Sequence, residues 1–104
     1  MDTLSDQLAA VMAGYAGHDL NGESVLLYSD DRTVMTIISI GELRGQHFAV
    51  TSLLARIVEG HIVIEQDIND KPLADALVAA DVPRRQIILA YAGESRSHAA
   101  VSAR

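Results

Sequence analysis

Hydrophobic and polar positions along the chain follow two periods in turn. Leu4, Leu8, Val11, Met12 and Tyr15 recur at spacings of four, three, one and three, which lays one apolar stripe along an amphipathic helix. Thr3 or Ser5 offers an N-cap, Asp6 suits the positive first turn, and Gly17 can leave the helix with a positive φ. Residues 18–24 read as loop. From residue 25 the period becomes two. Residues 25–28 and 33–40 form strands of a hairpin about the turn Ser29-Asp30-Asp31-Arg32. In the second of these, Val34, Thr36, Ile38 and Ile40 point one way and Met35, Ile37 and Ser39 the other. Neither face is polar, so the sheet has to be covered on both sides. Gly41 and Gly45 bracket a turn into a third strand over residues 46–57, where plain alternation sets Phe48, Val50 and Leu54 opposite Ala49, Leu53 and Ile57.

The stretch 57–91 is the most self-consistent part of the chain. Val58-Glu59-Gly60-His61 is a turn whose glycine supplies a positive φ, and residues 62–67 alternate as a strand. Ile62 and Ile64 face inward there, while His61, Val63, Glu65 and Asp67 share the other face. Asn69 or Asp70 caps a helix that carries Pro72 in its first turn and buries Leu73, Ala76, Leu77 and Ala80. Asp81-Val82-Pro83 ends it, because the residue before a proline is pushed out of the α region. Residues 87–91 are wholly apolar and predict a central strand. The expected architecture is therefore α+β: an N-terminal helix, an antiparallel meander sheet of about four strands, then a short helix and a final strand. One domain spans 1–91, and the Ala, Ser, Gly and Arg of 92–104 predict a flexible tail or an arm that orders on a partner.

Composition narrows the function more than the fold. A chain of 104 residues with 49% apolar side chains can bury a single core unaided. Aromatic residues make up 4%, so Leu, Ile, Val and Ala must build that core. The absence of cysteine removes disulfides, thiolate metal sites and a thiol nucleophile together. The first residues lack the basic flank and apolar run of a secretion signal, and no apolar run approaches the ~20 residues of a membrane span, so a cytoplasmic location is expected. Eight Lys plus Arg against fourteen Asp plus Glu leave a net charge of −6, which disfavours direct nucleic-acid binding. Arg84 and Arg85 with Arg96 and Arg104 are the candidates for a basic patch, and scattered solvated arginines are the plainer reading.

Candidate chemistry is sparse. Glu65 and Asp67, with His61, Asp70 and Lys71 close by, are the residue types a metal-dependent nuclease uses to hold Mg²⁺ and steady an attacking water. Alternating charges on a strand are more simply its solvated face. His18, His47, His61 and His98 lack the spacings that place two metal ligands together, and Asp30-Asp31 belongs to a turn. No glycine-rich strand-to-helix loop cradles a phosphate, and no Gly-x-Ser-x-Gly elbow presents a nucleophile.

The order Gly60-His61-Ile62-Val63-Ile64-Glu65-Gln66-Asp67, Leu73-Ala74-Asp75-Ala76-Leu77, Val82-Pro83 and Ile87-Ile88-Leu89 resembles the XisI-like family, the controlling factors for excision of the fdxN DNA element in cyanobacteria. The resemblance covers residues 4–91. The chain departs from the family pattern at Leu54, His61 and Val63, where His, Lys and Trp are common, and in the segment 92–104. What the resemblance implies is a non-enzymatic accessory factor that works with a companion excision-factor protein and carries no cofactor, metal or catalytic residue. Two short helices shelter about one face of an apolar sheet, so the other is expected to meet a second copy or a different chain. Homo-oligomerisation follows, with His61, Val63, Glu65, Asp67, Arg84 and Arg85 as the candidate interaction surface. The alternative is a small metal-dependent hydrolase or nuclease using the acidic strand face.

Overall fold

The computed structural model describes residues 3–95. Helix α1 (Thr3–Ala13) leads into a sheet of β1 (Gly17–Asp19), β2 (Gly22–Tyr28), β3 (Val34–Leu43), β4 (Gln46–Val58) and β5 (His61–Asp67). Helix α2 (Leu73–Ala79), a 3₁₀ turn (Arg84–Gln86), β6 (Ile87–Leu89) and a second 3₁₀ turn (Ala90–Ala92) complete it. No helix among the described residues is long and apolar enough to cross a membrane.

The sheet departs from the expected four-strand antiparallel meander: it has six strands in the order β1 to β6, and β5 and β6 run parallel. Two causes account for the difference. Asp19 Oδ1 accepts the N–H groups of Asn21 at 2.8 Å and Gly22 at 3.0 Å, an Asx turn that folds β1 back onto β2 inside what reads as loop. At the other end, α2 lies between β5 and β6 and returns the chain to the same end of the sheet, so β6 enters in the direction of β5. β6 is thus an edge strand and not a central one, and Tyr91 lies in the 3₁₀ turn after it.

The hairpins form where backbone freedom allows. Arg44 and Gly45 have φ values of 54° and 79°, and Glu59 and Gly60 of 49° and 79°, so each pair makes a two-residue loop with both residues left-handed. Both helices lie on one face of the sheet. Leu8 and Met12 of α1, and Leu73 and Leu77 of α2, pack with Met35, Ile37, Leu53, Ala55, Ile62, Ile64 and Ile87 into a single core. Ser5 is no N-cap: it is buried, and its hydroxyl donates to the Arg32 carbonyl at 2.9 Å, tying α1 to the β2–β3 turn. In α2 Leu73, Ala74 and Leu77 are the buried residues, whereas Ala80 is exposed.

Two bulges change which side chains share a face. Ile37 pairs Leu53 but Ile38 pairs Thr51, so Ser52 is an extra residue in β4. Its hydroxyl donates to the Ile37 carbonyl at 3.3 Å and accepts from Ser39 at 3.2 Å. Beyond it Val50 and Phe48 lie on the same side as Leu53, contrary to plain alternation. Likewise Ala55 pairs Ile64 and Leu54 pairs Gln66, which makes Glu65 the extra residue in β5.

Of the tail expected over 92–104, residues 96–104 lie outside the described residues. Residues 93–95 turn back at Gly93, whose φ is 90°, and the Glu94 N–H donates to the Leu89 carbonyl at 3.0 Å.

Candidate functional site

Strand alternation and register place Val25 and Leu27 of β2, Val34, Thr36, Ile38 and Ile40 of β3, and Leu54, Arg56 and Val58 of β4 on the face away from the helices. This surface is largely apolar, and none of the described residues covers it. Leu27 is 52%, Val34 39% and Ile40 36% exposed, while Met35, Ile37 and Leu53 behind them are at most 1% exposed. Soluble monomers seldom leave contiguous apolar strands facing water. The β5–β6 end of the same face is sheltered, because the chain at 90–95 folds beneath it and Val63 and Ile88 are buried. A shallow cleft of about 280 Å³ remains there, bounded by Arg56, Val63, Glu65 and Glu94.

The candidate residues from the sequence separate. His61, Val63 and Glu65 lie on the open face, where Glu65 pairs with Arg56 at 2.7 Å. Asp67 does not join them. The extra residue at Glu65 restores Asp67 to the phase of Leu53, with which it pairs, and so to the helix-covered side. There its Oδ2 accepts the Leu73 N–H at 2.7 Å, and its Oδ1 accepts the backbone N–H of Asn69 at 3.0 Å and the Asn69 side-chain amide at 2.9 Å. Asp67 thus does the capping expected of Asn69 or Asp70, while Pro72 occupies the N-cap position and has no side-chain donor or acceptor to offer. Arg84 and Arg85 lie together in the 3₁₀ turn before β6. Arg84 donates to the Ile87 carbonyl at 2.7 Å and reaches Glu94 at 3.4 Å, and Arg85 is exposed. Arg96 and Arg104 lie outside the described residues.

This arrangement gives the metal-dependent alternative no support. Among the described residues no three His, Asp or Glu side chains come together to hold a metal ion. The two acids that reading requires are on opposite faces, one in an ion pair and the other capping a helix. His18 pairs loosely with Glu23 at 3.8 Å on the surface, and His98 lies outside the described residues. In the β2–β3 turn Asp31 accepts from Ser29 Oγ at 2.7 Å and from Thr33 N and Oγ1 at 3.0 and 2.8 Å. Those bonds, the Ser29 hydroxyl foremost, hold its carboxyl below the usual aspartate range. Tyr15 donates to the Lys71 carbonyl at 2.9 Å, and burial, then the charges of Asp67 and Asp75, push its phenol up.

Sequence reasoning misses one feature altogether, the clasp of Arg84 and Glu94 across β6. Glu94 Oε1 accepts the Leu89 N–H at 2.9 Å while Arg84 holds the Ile87 carbonyl, so side chains occupy the outer backbone groups of the edge strand. Nothing local foretells it, since the two residues are ten apart and both sit in segments without period.

Comparison with known proteins agrees with this geometry. No curated protein matches the chain. The crystal structure of a XisI-like protein from Anabaena variabilis ATCC 29413 superposes with a TM-score of 0.63 at 23% identity, over 83% of this chain and 78% of that one. The fdxN element excision controlling factor XisI from the same organism superposes with a TM-score of 0.65 at 20% identity, over 90% of this chain and 92% of that one. Both share the fold. The family model described as XisI protein matches residues 2–101, and the chain accordingly belongs to the XisI family.

Proposed function

We propose that this protein is a non-enzymatic accessory factor that acts in the cytoplasm by gripping other polypeptides, as an excision controlling factor does in assisting removal of a DNA element. The observation that carries this reading is the open apolar face of β2, β3 and β4, with Leu27, Val34 and Ile40 solvent-exposed over a core that is already complete. A surface of this kind suits protein contact and not a duplex, for it offers no row of cations to neutralise phosphates. The net charge of −6 works in the same direction. A companion excision factor is the partner that family membership suggests for this face, and self-association of the chain accompanies it. His61 and Glu65 form the polar margin of the surface, with Val63 buried between them; Arg85, exposed near the β6 edge, contributes from its rim.

The test is co-expression with a candidate companion excision factor, followed by purification through a tag on one of them. A stoichiometric complex is expected, and Ile38→Glu should abolish it by placing a charge in the apolar contact. Recovery of the complex with Ile38→Glu at wild-type yield would show that the open face is not the contact.

A further inference from the structure

The chain treats the two edges of its sheet differently. On β6 the outward carbonyl of Ile87 is held by Arg84 and the outward N–H of Leu89 by Glu94, so another strand finds no groups to pair with. The opposite edge is partly open. β1 pairs with β2 only at residues 22–24, and among the described residues no strand lies beyond 25–28.

The phase of hydrogen bonding along β2 is known from its two ends. Ser29 N–H donates to the Val34 carbonyl at 2.9 Å, and Glu42 N–H donates to the Asn21 carbonyl at 2.9 Å. Odd-numbered residues of β2 therefore bond to β3, and alternation turns the N–H and C=O groups of Leu26 and Tyr28 outward. Their side chains lie on the helix-covered side, and that of Leu27, 52% exposed, lies on the open face.

We infer that this edge receives a second copy of the same chain, antiparallel, about a twofold axis at Leu27; the inference rests on the self-association proposed above and specifies its geometry. Only an extended strand can satisfy outward backbone groups, and a twofold pairing leaves few registers. Placing Leu26 opposite its own equivalent would extend the pairing to Ser24, whose outward groups β1 already holds. Placing Leu26 opposite Tyr28 of the second copy uses only residues whose outer side no described strand pairs and makes four backbone hydrogen bonds, two from each of two rungs. Leu27 then meets its own equivalent in the intervening non-bonded rung, about 4.5 Å away between Cα atoms. Residues 25–28 carry no charge, so two acidic chains set no like charges directly against each other. The fold already uses pairings this short, since β1 and β6 are each held over three residues. The result is one sheet across both copies, with the two open faces on the same side as a continuous platform.

Light scattering on the full chain at tens of micromolar should give twice the monomer mass, and Leu27→Lys should give a monomer with an unchanged far-UV spectrum. Because the chain has no cysteine, Leu27→Cys supplies its one thiol. Cys at this position should form an intermolecular disulfide on mild oxidation at least about tenfold faster than Ile68→Cys, since close non-bonded rungs suit the bridge. Ile68 is 62% exposed in the loop after β5, far from the pairing in sequence, and serves as the control. A Leu27→Lys protein that stays dimeric, or equal cross-linking of the two cysteine variants, would overturn this edge and leave self-association standing. A monomeric wild type would overturn both.

Discussion

Asp67 tests the local physics most directly, because one carboxylate anchors both the loop after β5 and the start of α2. Its removal in Asp67→Ala leaves the Leu73 N–H, the first helical donor, without its acceptor at 2.7 Å, and frees two bonds to Asn69. Loss of a helix cap costs about 1 kcal/mol, loss of an anion at the helix N-terminus about 0.5 kcal/mol, and the Asn69 bonds about 1 kcal/mol more. The expected destabilisation is about 2–3 kcal/mol. With a urea dependence of about 1.5–2 kcal/mol/M for a domain of this size, the midpoint should fall by about 1–2 M, read by far-UV circular dichroism. Asp67→Asn, which keeps an acceptor oxygen without the charge, should lose roughly half as much. A midpoint for Asp67→Ala within experimental error of wild type would refute the assignment of Asp67 as the cap.

Three further outcomes follow from the packing. A Cβ on Gly22 would lie 2.1 Å from the Ile40 carbonyl oxygen, and one on Gly41 2.2 Å from that of Asn21. Gly22→Ala and Gly41→Ala should therefore part β2 from β3 at that end, and faster amide exchange at Glu23 and Ile40 would register it; unchanged exchange would count against the close approach. Leu53→Ala, on the closed face, should cost roughly 2–5 kcal/mol and Leu54→Ala, on the open face, only about 1 kcal/mol, so equal costs in urea titration would contradict the division of faces. Asp31 has a folded pKa below its unfolded value, so its contribution to stability is present above the unfolded pKa and is lost as pH falls through the folded one. An NMR titration of its carboxyl carbon should give a midpoint below that of the urea-unfolded chain, and coincident midpoints would remove the claim.

The candidate surface was legible in outline and not in detail. That Val34, Ile38 and Ile40 oppose Met35 and Ile37 on an equally apolar strand is plain from alternation, and the structure covers only the second set. Which residues join the surface from β4 and β5 depended on Ser52 and Glu65. Each is an inserted residue that reverses the faces beyond it, and no residue type marks such a position. Asp67 was therefore grouped with Glu65 by spacing and separated from it by register.

Local chemistry alone determined the apolar stripe of α1, the glycine-bearing hairpin at residues 59–60, the β2–β3 turn held by Asp31, and a sheet apolar on both sides. These depend on residues within a few positions of one another, where backbone preference and periodicity act before any long-range contact forms. Only the tertiary structure decided that the sheet has six strands, that β6 joins parallel at an edge closed by Arg84 and Glu94, and that residues 90–95 shelter one end of the second face. Strands of three residues carry no readable period, and a clasp between residues ten apart exists only after the chain between them has folded.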